Sequence, residues 1–324
     1  MTELLNHVKL LYGADIVNEN MLGNSANIIY EINIGTQPAI LRISKHSEHK
    51  LSHIGFELTW MNDLAQHVPQ IAGPIPSLRG KLFEVINTQK DCWIACVFNK
   101  APGHIVDPSN PMEWNETLFY KIGELMGNMH THTKPYIRQI GINRQFDWRH
   151  SYLFWPENNQ WNDSEIQPVW NRTLAEMDSI SQLQADFGIV HTDIHHQNFH
   201  VEGGNIVLFD FDDCEYNWYA YDLASTLFFI TCTADYHDAD SGRATFEHFG
   251  VPFFRGYRQY AELSIHWLDM IPLFLRYRRL AQYKYFFNLF HGKPNPYEDY
   301  LAWMKNDILC GFVYLHYDFL SLFG

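Results

Sequence analysis

The residues whose types could do chemistry are concentrated between positions 187 and 213, in the stretch FGIVHTDIHHQNFHVEGGNIVLFDFDD. An apolar lead-in reaches Asp193, and Asn198 follows it five positions later. Apolar residues on both sides of Gly203 and Gly204 predict a β-hairpin that delivers Asp210. The spacing therefore predicts that two carboxylates and one carboxamide converge on one spot.

This set of side chains suits phosphoryl transfer, a reaction in which the protein mainly positions groups and stabilises charge. Asp193 is the expected base that accepts the proton of an attacking hydroxyl. Asn198 and Asp210 are the expected ligands of Mg²⁺, a hard cation that takes oxygen ligands. The same interval from aspartate to asparagine occurs in the catalytic loop of kinases.

The elements upstream of this stretch predict a small antiparallel sheet. Apolar alternation over 27–34, a break at 35–38 and a second run over 39–43 indicate a β-hairpin. Apolar residues spaced by three and four over 51–64 indicate a helix that stops before Pro69. Strand-like stretches follow at 81–86 and 92–98, so that one helix accompanies four strands.

The character of the chain changes after Pro102 and Gly103, where we expect the boundary between two domains. Residues 1–100 would form a nucleotide-binding lobe with a hinge near 97–103, and 104–324 a catalytic, substrate-binding lobe. The second part is expected to be mainly helical, with a first helix that carries Leu118, Ile122 and Met129 on one face. Short helices and loops are expected over 147–182.

Three motifs, HTDIHHQN, VLFDFDD and the YDLA of residues 221–224, carry a resemblance to a known family. With them the chain resembles the aminoglycoside phosphotransferase and choline kinase family. The segments FFRGYRQY and LRYRRLAQY resemble the C-terminal helices of a homoserine kinase-like or stress-response kinase-like subgroup. The resemblance implies an α+β, two-lobed protein-kinase-like fold, with ATP and Mg²⁺ as cofactors. It also implies that Asp222 braces the catalytic loop, and that His191 and His195 hold this loop rather than react.

The resemblance extends to the N-terminal part of the chain. It implies that residues 22–27 form a phosphate loop, with Ser25 and Asn27 in contact with phosphate. It further implies that Arg42 contacts the ATP phosphates and is held by Glu57. The backbone of Val97 to Asn99 would bind adenine. Thr192 departs from the family, which usually has glycine at this position.

The composition of the chain limits the classes of molecule that are expected to bind to it. The formal net charge of −14 disfavours nucleic acid and anionic membranes, and it suits a small, amine-bearing hydroxyl acceptor or simply solubility. The first residues lack the pattern of a secretory leader, so a cytoplasmic location is expected. The five cysteines are scattered and predict neither disulfides nor a zinc site. The oligomeric state is left open.

Three alternatives remain at this point. His191, Asp193, His195 and His196, with His130 and His132, resemble the metal cluster of a hydrolase. A kinase-shaped binding protein without catalysis is the second alternative. A protein acceptor is the third, although no activation loop is recognisable between 210 and 221. The acidic, tryptophan-rich residues 147–182 could bind an ammonium group or be an ordinary solvated insertion.

Overall fold

The computed structural model describes residues 1–17, 23–24, 27–151, 163–183, 185–232, 239–290, 294–311 and 319. The chain divides into two units, the first made of 1–105 and 199–212 and the second of 106–198 and 213–324. The hairpin around Gly203 and Gly204 thus groups with the N-terminal unit. The expected domain limits, 1–100 and 104–324, placed this hairpin in the C-terminal domain.

The first unit contains a six-stranded antiparallel sheet. Its strands are β1 (Ala14–Ile16), β2 (Gly23–Asn24), β3 (Ile28–Ile34), β4 (Gln37–Lys45), β5 (Phe83–Asn87) and β6 (Cys92–Asn99). They lie in the order β1-β3-β4-β6-β5, and β2 pairs with β3. Gly35, at φ 61°, makes the turn between β3 and β4, where an L side chain would be strained. Both hairpins expected from the apolar patterns are present.

Two helices accompany this sheet, α1 (Thr2–Tyr12) and α2 (Glu48–His67). The Ser47 hydroxyl caps α2 by accepting from the Lys50 amide at 3.2 Å, and the helix ends two residues before Pro69. The sequence analysis missed α1 and β1. Leu4, Val8 and Tyr12 of α1 are buried in one cluster with residues of β3 and β4. The hydrophobic core explains why this helix forms despite its short length.

The first unit also contains a small three-stranded sheet, with the order β10-β9-β7. Its strands are β7 (His104–Ile105), β9 (Phe199–Glu202) and β10 (Asn205–Leu208). Leu208 is joined to the segment between α2 and β5, since its amide donates to the Gln70 carbonyl at 2.8 Å. Gly103 has φ 83°, and a Cβ there would lie 2.2 Å from the Val201 carbonyl oxygen. Only glycine fits this approach of the two backbones.

The second unit is mainly helical. Its helices are α3 (Glu116–Ile140), α4 (Gln167–Asp178), α5 (Tyr219–Thr231), α6 (Ala239–Tyr257), α7 (Ile265–Phe290) and α8 (Glu298–Leu309). Short 3₁₀ turns occupy Arg144–Phe146 and Trp148–His150. One antiparallel pair, β8 (Phe187–Val190) with β11 (Glu215–Trp218), is buried at all eight positions.

Glycines allow α3 and α6 to approach closely. A Cβ on Gly123 would lie 1.9 Å from the Phe253 carbonyl oxygen, and one on Gly256 would lie 2.0 Å from that of Tyr120. This close crossing fixes the last turn of α6, including Tyr257, against α3. The apolar face expected for α3 is buried as predicted.

The expected fold class is confirmed: an antiparallel sheet with helices forms the N-terminal unit, and a larger helical unit follows. Among the described residues, no helix has the length and apolar character needed to cross a bilayer.

Candidate active site

The end of β8 carries the predicted catalytic loop. β8 pairs with β11 and is buried, and the chain leaves it at His191, Thr192 and Asp193. Asp222, in the first turn of α5, holds this loop from behind because its Oδ1 accepts from the Thr192 amide at 2.6 Å and its Oδ2 accepts from the His191 amide at 3.4 Å. The structure thus places Asp222 against the loop that it was expected to brace.

Thr192 adopts a left-handed backbone conformation, with φ 71°. This region favours glycine, the residue that usually stands here in the family, and it strains a β-branched side chain. Three hydrogen bonds hold the residue in place: its amide donates to Asp222, its carbonyl accepts from the Ser225 hydroxyl, and its own hydroxyl donates to the Asp213 carbonyl at 3.1 Å. The residue is also buried, with 5% of it exposed. Threonine is therefore compatible with the loop.

The carboxylate of Asp193 is held on both oxygens. Oδ2 accepts from Asn198 Nδ2 at 2.9 Å and lies 3.3 Å from His195 Nε2. Oδ1 accepts from Arg278 Nη2 at 3.2 Å. Its side chain is 22% exposed, so a substrate can still reach it. The group that was expected to act as base is therefore oriented and accessible.

The charge state of Asp193 follows from these neighbours. Burial would raise the pKa of its carboxyl, but the hydrogen bond from His195 and the positive charge of Arg278 outweigh burial and lower the pKa to about 2. Asp193 is consequently ionised at neutral pH. An ionised carboxylate is the form that a base requires.

Asn198 is oriented by the same aspartate. Its Nδ2 donates to the Asp193 carbonyl and to the Asp193 carboxylate, both at 2.9 Å. An amide nitrogen has only two protons, so both are used and the carbonyl oxygen Oδ1 is the atom left for another partner. That oxygen is a suitable ligand for a hard divalent cation. Asn198 is 6% exposed, so the orientation is held by packing as well.

Histidines of the second unit support the loop. His130 Nε2 lies 2.9 Å from Asp222 Oδ2, and its Nδ1 lies 3.0 Å from the Tyr257 hydroxyl. His191 Nδ1 accepts from the Asp193 amide at 3.3 Å. Within the part of the chain that the structure describes, no group of three His, Cys, Asp or Glu side chains could hold a metal. His130 and His191 thus contact protein groups, whereas the hydrolase alternative requires histidines that bind a metal.

Asp210 lies in the first unit, two residues after the end of β10. It is exposed and has φ 64°, a left-handed conformation that aspartate tolerates better than most residues. The next residue, Phe211, is buried and packs edge-on against Trp60 of α2, with ring centroids 5.5 Å apart. This contact fixes the end of the hairpin and leaves the Asp210 side chain at the surface of its unit.

Asn27 and Asp212 meet within the first unit. Asn27 Nδ2 donates to Asp212 Oδ2 at 3.0 Å, and Asn27 Oδ1 accepts from the Ser44 hydroxyl at 2.6 Å. Asn27 was expected to contact phosphate; its side-chain amide has these two protein partners, and the phosphate contact stays a prediction. Ser25, the other residue of this prediction, lies outside the described residues.

Arg42 and Glu57 form a forked ion pair inside the first unit. Arg42 Nη1 and Nη2 donate to the two Glu57 oxygens at 2.9 and 2.5 Å, and the side chains are 5% and 1% exposed. Burial opposes the charge of Arg42, but the carboxylate of Glu57 keeps the pKa of the guanidinium well above its ordinary value. Arg42 Nε is buried and has no hydrogen-bond partner among the described residues. It is thus a donor that a ligand could satisfy.

Val97 and Asn99, in β6, were expected to bind adenine through the backbone. The Val97 carbonyl accepts from the Ile75 amide at 2.7 Å, and the Asn99 amide donates to the Gly73 carbonyl at 2.9 Å. These contacts occupy backbone groups that adenine would need, because the segment around Pro74 pairs with this end of β6. The adenine assignment stays a prediction.

The acidic stretch over 147–182 is largely neutralised by cations of the protein. Asp147 pairs with Arg144, and Asp163 with Lys305 at 3.0 Å. Glu176 and Asp178 also form ion pairs. Trp148 and Trp170 are buried in the core, and residues 152–162 lie outside the described residues. The described part therefore favours an ordinary structural role over an ammonium site.

Two residues in these clusters were missed by the sequence analysis. Arg278 lies on α7, where the run Arg276 to Arg279 contains three arginines, and only the fold brings one of them to Asp193. Asp212 lies two residues after Asp210, and the repeated aspartates of FDFDD are the signal that could have found it. The contacts of these two residues cannot be predicted from sequence spacing, because Arg278 lies 85 residues from Asp193 and Asp212 lies 185 residues from Asn27.

Comparisons with known proteins identify the family of this chain. The model of the phosphotransferase enzyme family, APH, matches residues 22–264. Amicoumacin kinase of Bacillus subtilis strain 168 is 32% identical over an alignment of 332 positions. The alignment covers 99% of this chain and 95% of the kinase. The structure of amicoumacin kinase hAmiN in complex with AMP-PNP, Ca²⁺ and Ami has a TM-score of 0.84 at 28% identity, with 99% and 96% of the two chains covered.

A microcompartment-associated aminopropanol kinase shares the fold, with a TM-score of 0.72 at 21% identity over 99% of this chain and all of the other. The matched family model spans most of the chain, including the predicted catalytic loop and the residues around Arg42. The chain belongs to the phosphotransferase enzyme family and is a kinase that transfers phosphate to a hydroxyl group.

Proposed function

We propose that this enzyme uses ATP and Mg²⁺ to phosphorylate a hydroxyl of a small, amine-bearing molecule. The observation that carries the proposal is the pair at the end of β8, an ionised Asp193 hydrogen bonded to Asn198. In the reaction a bond forms between the acceptor oxygen and the terminal phosphorus, the bond from that phosphorus to the bridging oxygen breaks, and ADP leaves. Asp193 receives the hydroxyl proton.

The cofactor assignment rests on oxygen and nitrogen atoms of named residues. Asn198 Oδ1 and the exposed Asp210 carboxylate would supply ligands to Mg²⁺, and bound Mg²⁺ would neutralise charge on the phosphates. Arg42 would donate to phosphate through Nε while Glu57 holds its other nitrogens. The relative hAmiN was solved with AMP-PNP and Ca²⁺, a nucleotide and a divalent ion, which supports the same pair of ligand classes here.

The acceptor class rests on charge and on the relatives. A net charge of −14 attracts a cationic or zwitterionic small molecule. Amicoumacin kinase, a relative at 32% identity, is named for a small-molecule acceptor. The acidic residues over 147–182 do not strengthen the choice of an amine, because the described ones are already paired. A cytoplasmic location remains part of the proposal.

An ATP-consumption screen tests the function. Purified protein is supplied with ATP and either Mg²⁺ or Zn²⁺, together with amino alcohols, aminosugars, homoserine and a generic protein acceptor. We expect Mg²⁺-dependent turnover on a small molecule. Zn²⁺-dependent hydrolysis that needs no ATP would contradict the proposal, and so would tight ATP binding without turnover on any acceptor.

Asp193→Asn tests the assigned base in the same assay. We expect kcat to fall by about 10²–10⁴-fold, since an amide cannot accept the proton. The matched control is Asp178→Asn, which removes a carboxylate 51% exposed that is paired with Arg149, and it should leave kcat unchanged. Equal turnover of Asp193→Asn and the parent enzyme would show that another group is the base.

A further inference from the structure

Helix α7 presents three arginines, and each has a different carboxylate partner. Arg276 pairs with Glu176 of α4, Arg278 with Asp193 at 3.2 Å, and Arg279 with Asp307 of α8 at 3.7 Å. Successive helical residues are rotated by about 100°, so these side chains leave the helix in different directions. Of these three arginines, only Arg278 has its ion-pair partner in the catalytic loop.

Arg278 is held in a fixed position before it reaches Asp193. Its guanidinium lies over the Phe229 ring of α5, with the carbon 4.5 Å from the ring centroid. A guanidinium over an aromatic face is favourable and restricts the long side chain. The side chain is 14% exposed, so water screens the pair only partly. Arg278 is therefore a rigid donor rather than a solvated surface arginine.

The two oxygens of Asp193 are held by different parts of the unit. Oδ2 contacts Asn198 and His195, which belong to the same loop and follow Asp193 by five and two residues. Oδ1 contacts Arg278, which comes from a helix more than eighty residues away in sequence. The χ2 torsion of aspartate has broad minima, so contacts on one oxygen alone leave the carboxylate plane loosely defined. The contact from α7 removes that freedom.

We propose that Arg278 is a positioning residue that fixes the plane of the Asp193 carboxylate from outside the catalytic loop, so that one orientation meets the acceptor hydroxyl. The inference rests on the proposed function, because it assumes that Asp193 is the base. Arg278 acts on the base and does not bind the acceptor. Its loss leaves substrate affinity in place and lowers the rate of the chemical step.

Steady-state kinetics of three variants test this role, with the acceptor found in the ATP-consumption screen. We expect Arg278→Met to lower kcat by about 10–100-fold, the scale of a misplaced catalytic group, and to leave KM for ATP and for the acceptor within about threefold. Arg278→Lys keeps a positive charge near Oδ1 and should recover part of the rate. Arg276→Met, which breaks the neighbouring pair with Glu176, should retain the parent kcat.

An unchanged kcat in Arg278→Met would overturn the proposal. A raised KM for the acceptor with the parent kcat would also overturn it, because Arg278 would then be a binding residue. Equal losses in Arg278→Met and Arg276→Met would indicate a general structural effect of α7 and reject the specific role.

A second measurement needs no turnover and separates this inference from the proposed function. The melting temperatures of Arg278→Met, Asp193→Asn and the double variant form a cycle that reports the coupling of the two side chains. We expect the shifts to be non-additive, with the double variant closer to the parent than their sum. Additive shifts would overturn the inference, whereas an inactive parent enzyme with non-additive shifts would count only against the proposed function.

Discussion

Two arginine–carboxylate pairs, one in each unit, differ in how far their side chains are exposed to solvent. Arg42 and Glu57, in the first unit, form a two-pronged contact and are 5% and 1% exposed. Arg278 and Asp193, in the second unit, share one contact and are 14% and 22% exposed. The buried pair of Arg42 and Glu57, here called the closed pair, can hold a cation inside the protein. The pair of Arg278 and Asp193 leaves a carboxylate that a substrate can reach. Burial thus distinguishes the Glu57 carboxylate, which holds an arginine, from the Asp193 carboxylate, which we propose as the base.

The largest change in stability is expected when the closed pair loses its carboxylate. Glu57→Gln leaves the charge of Arg42 buried beside a neutral amide, and we expect the free energy of unfolding to fall by about 3–5 kcal/mol. Denaturant unfolding followed by circular dichroism measures this change.

Asp91→Asn is the matched control, because it breaks the pair between Asp91 and Lys45, a lysine on the same strand as Arg42. The side chains of that pair are 36% and 72% exposed, and the expected loss is about 0–1 kcal/mol. Similar losses in Glu57→Gln and Asp91→Asn would mean that burial does not distinguish the two pairs.

Glu215 is a buried carboxyl that accepts its hydrogen bond from the side-chain amide of Asn217 rather than from an arginine. Burial raises its pKa to about 8, against a smaller lowering by the hydrogen bond from Asn217. Between about pH 4.5 and about pH 8, the Glu215 carboxyl therefore keeps its proton in the folded state and loses it in the unfolded state. The free energy of unfolding should fall as pH rises from about 4.5 to about 8 and then level off.

Glu215→Gln sharpens this contrast, because glutamine accepts from Asn217 without ionising. We expect the variant to gain on the order of 4 kcal/mol over the parent at pH 8 and less than about 1 kcal/mol at pH 5. Denaturant unfolding at both pH values measures the gain, and the exposed Glu202→Gln provides the control. A gain of equal size at pH 5 would show that ionisation is not its cause.

The smallest effect is expected at Thr192. Glycine removes the strain of the left-handed conformation and retains the backbone contacts with Asp222 and Ser225, but it loses the hydroxyl contact with Asp213. Strain and hydrogen bond are each worth about 1 kcal/mol, so Thr192→Gly should change the free energy of unfolding by less than about 1 kcal/mol. A much larger loss would show that the threonine side chain is essential to the loop.

Much of the fold could be predicted from the sequence because its signals are local. Apolar alternation located β3 and β4, and the glycine pair located the turn between β9 and β10. Helix α1 escaped prediction since it is stabilised by packing against the sheet rather than by its own sequence. The assignment of the hairpin to the N-terminal unit also depends on tertiary contacts, such as those of Leu208 with residues 70–72.

The candidate site was predictable where one short motif carries it. Asp193, Asn198 and His191 lie within eight residues, and the loop brings them together. Arg278 and the pairing of Asn27 with Asp212 depend on partners 85 and 185 residues away, and no local pattern reports such distances. The adenine prediction at Val97 and Asn99 ignored the segment at 73–75, whose backbone bonds can be seen only in the folded chain.

Binding of Mn²⁺ together with AMP-PNP, followed by electron paramagnetic resonance, tests the central claim most directly because it needs no acceptor. We expect Asn198→Ala and Asp210→Ala each to weaken Mn²⁺ binding by about 10-fold or more, while Asn205→Ala, on the exposed hairpin, binds like the parent. Mn²⁺ affinity equal to the parent in both Asn198→Ala and Asp210→Ala would contradict the assignment of these two residues as the metal ligands of a phosphotransferase.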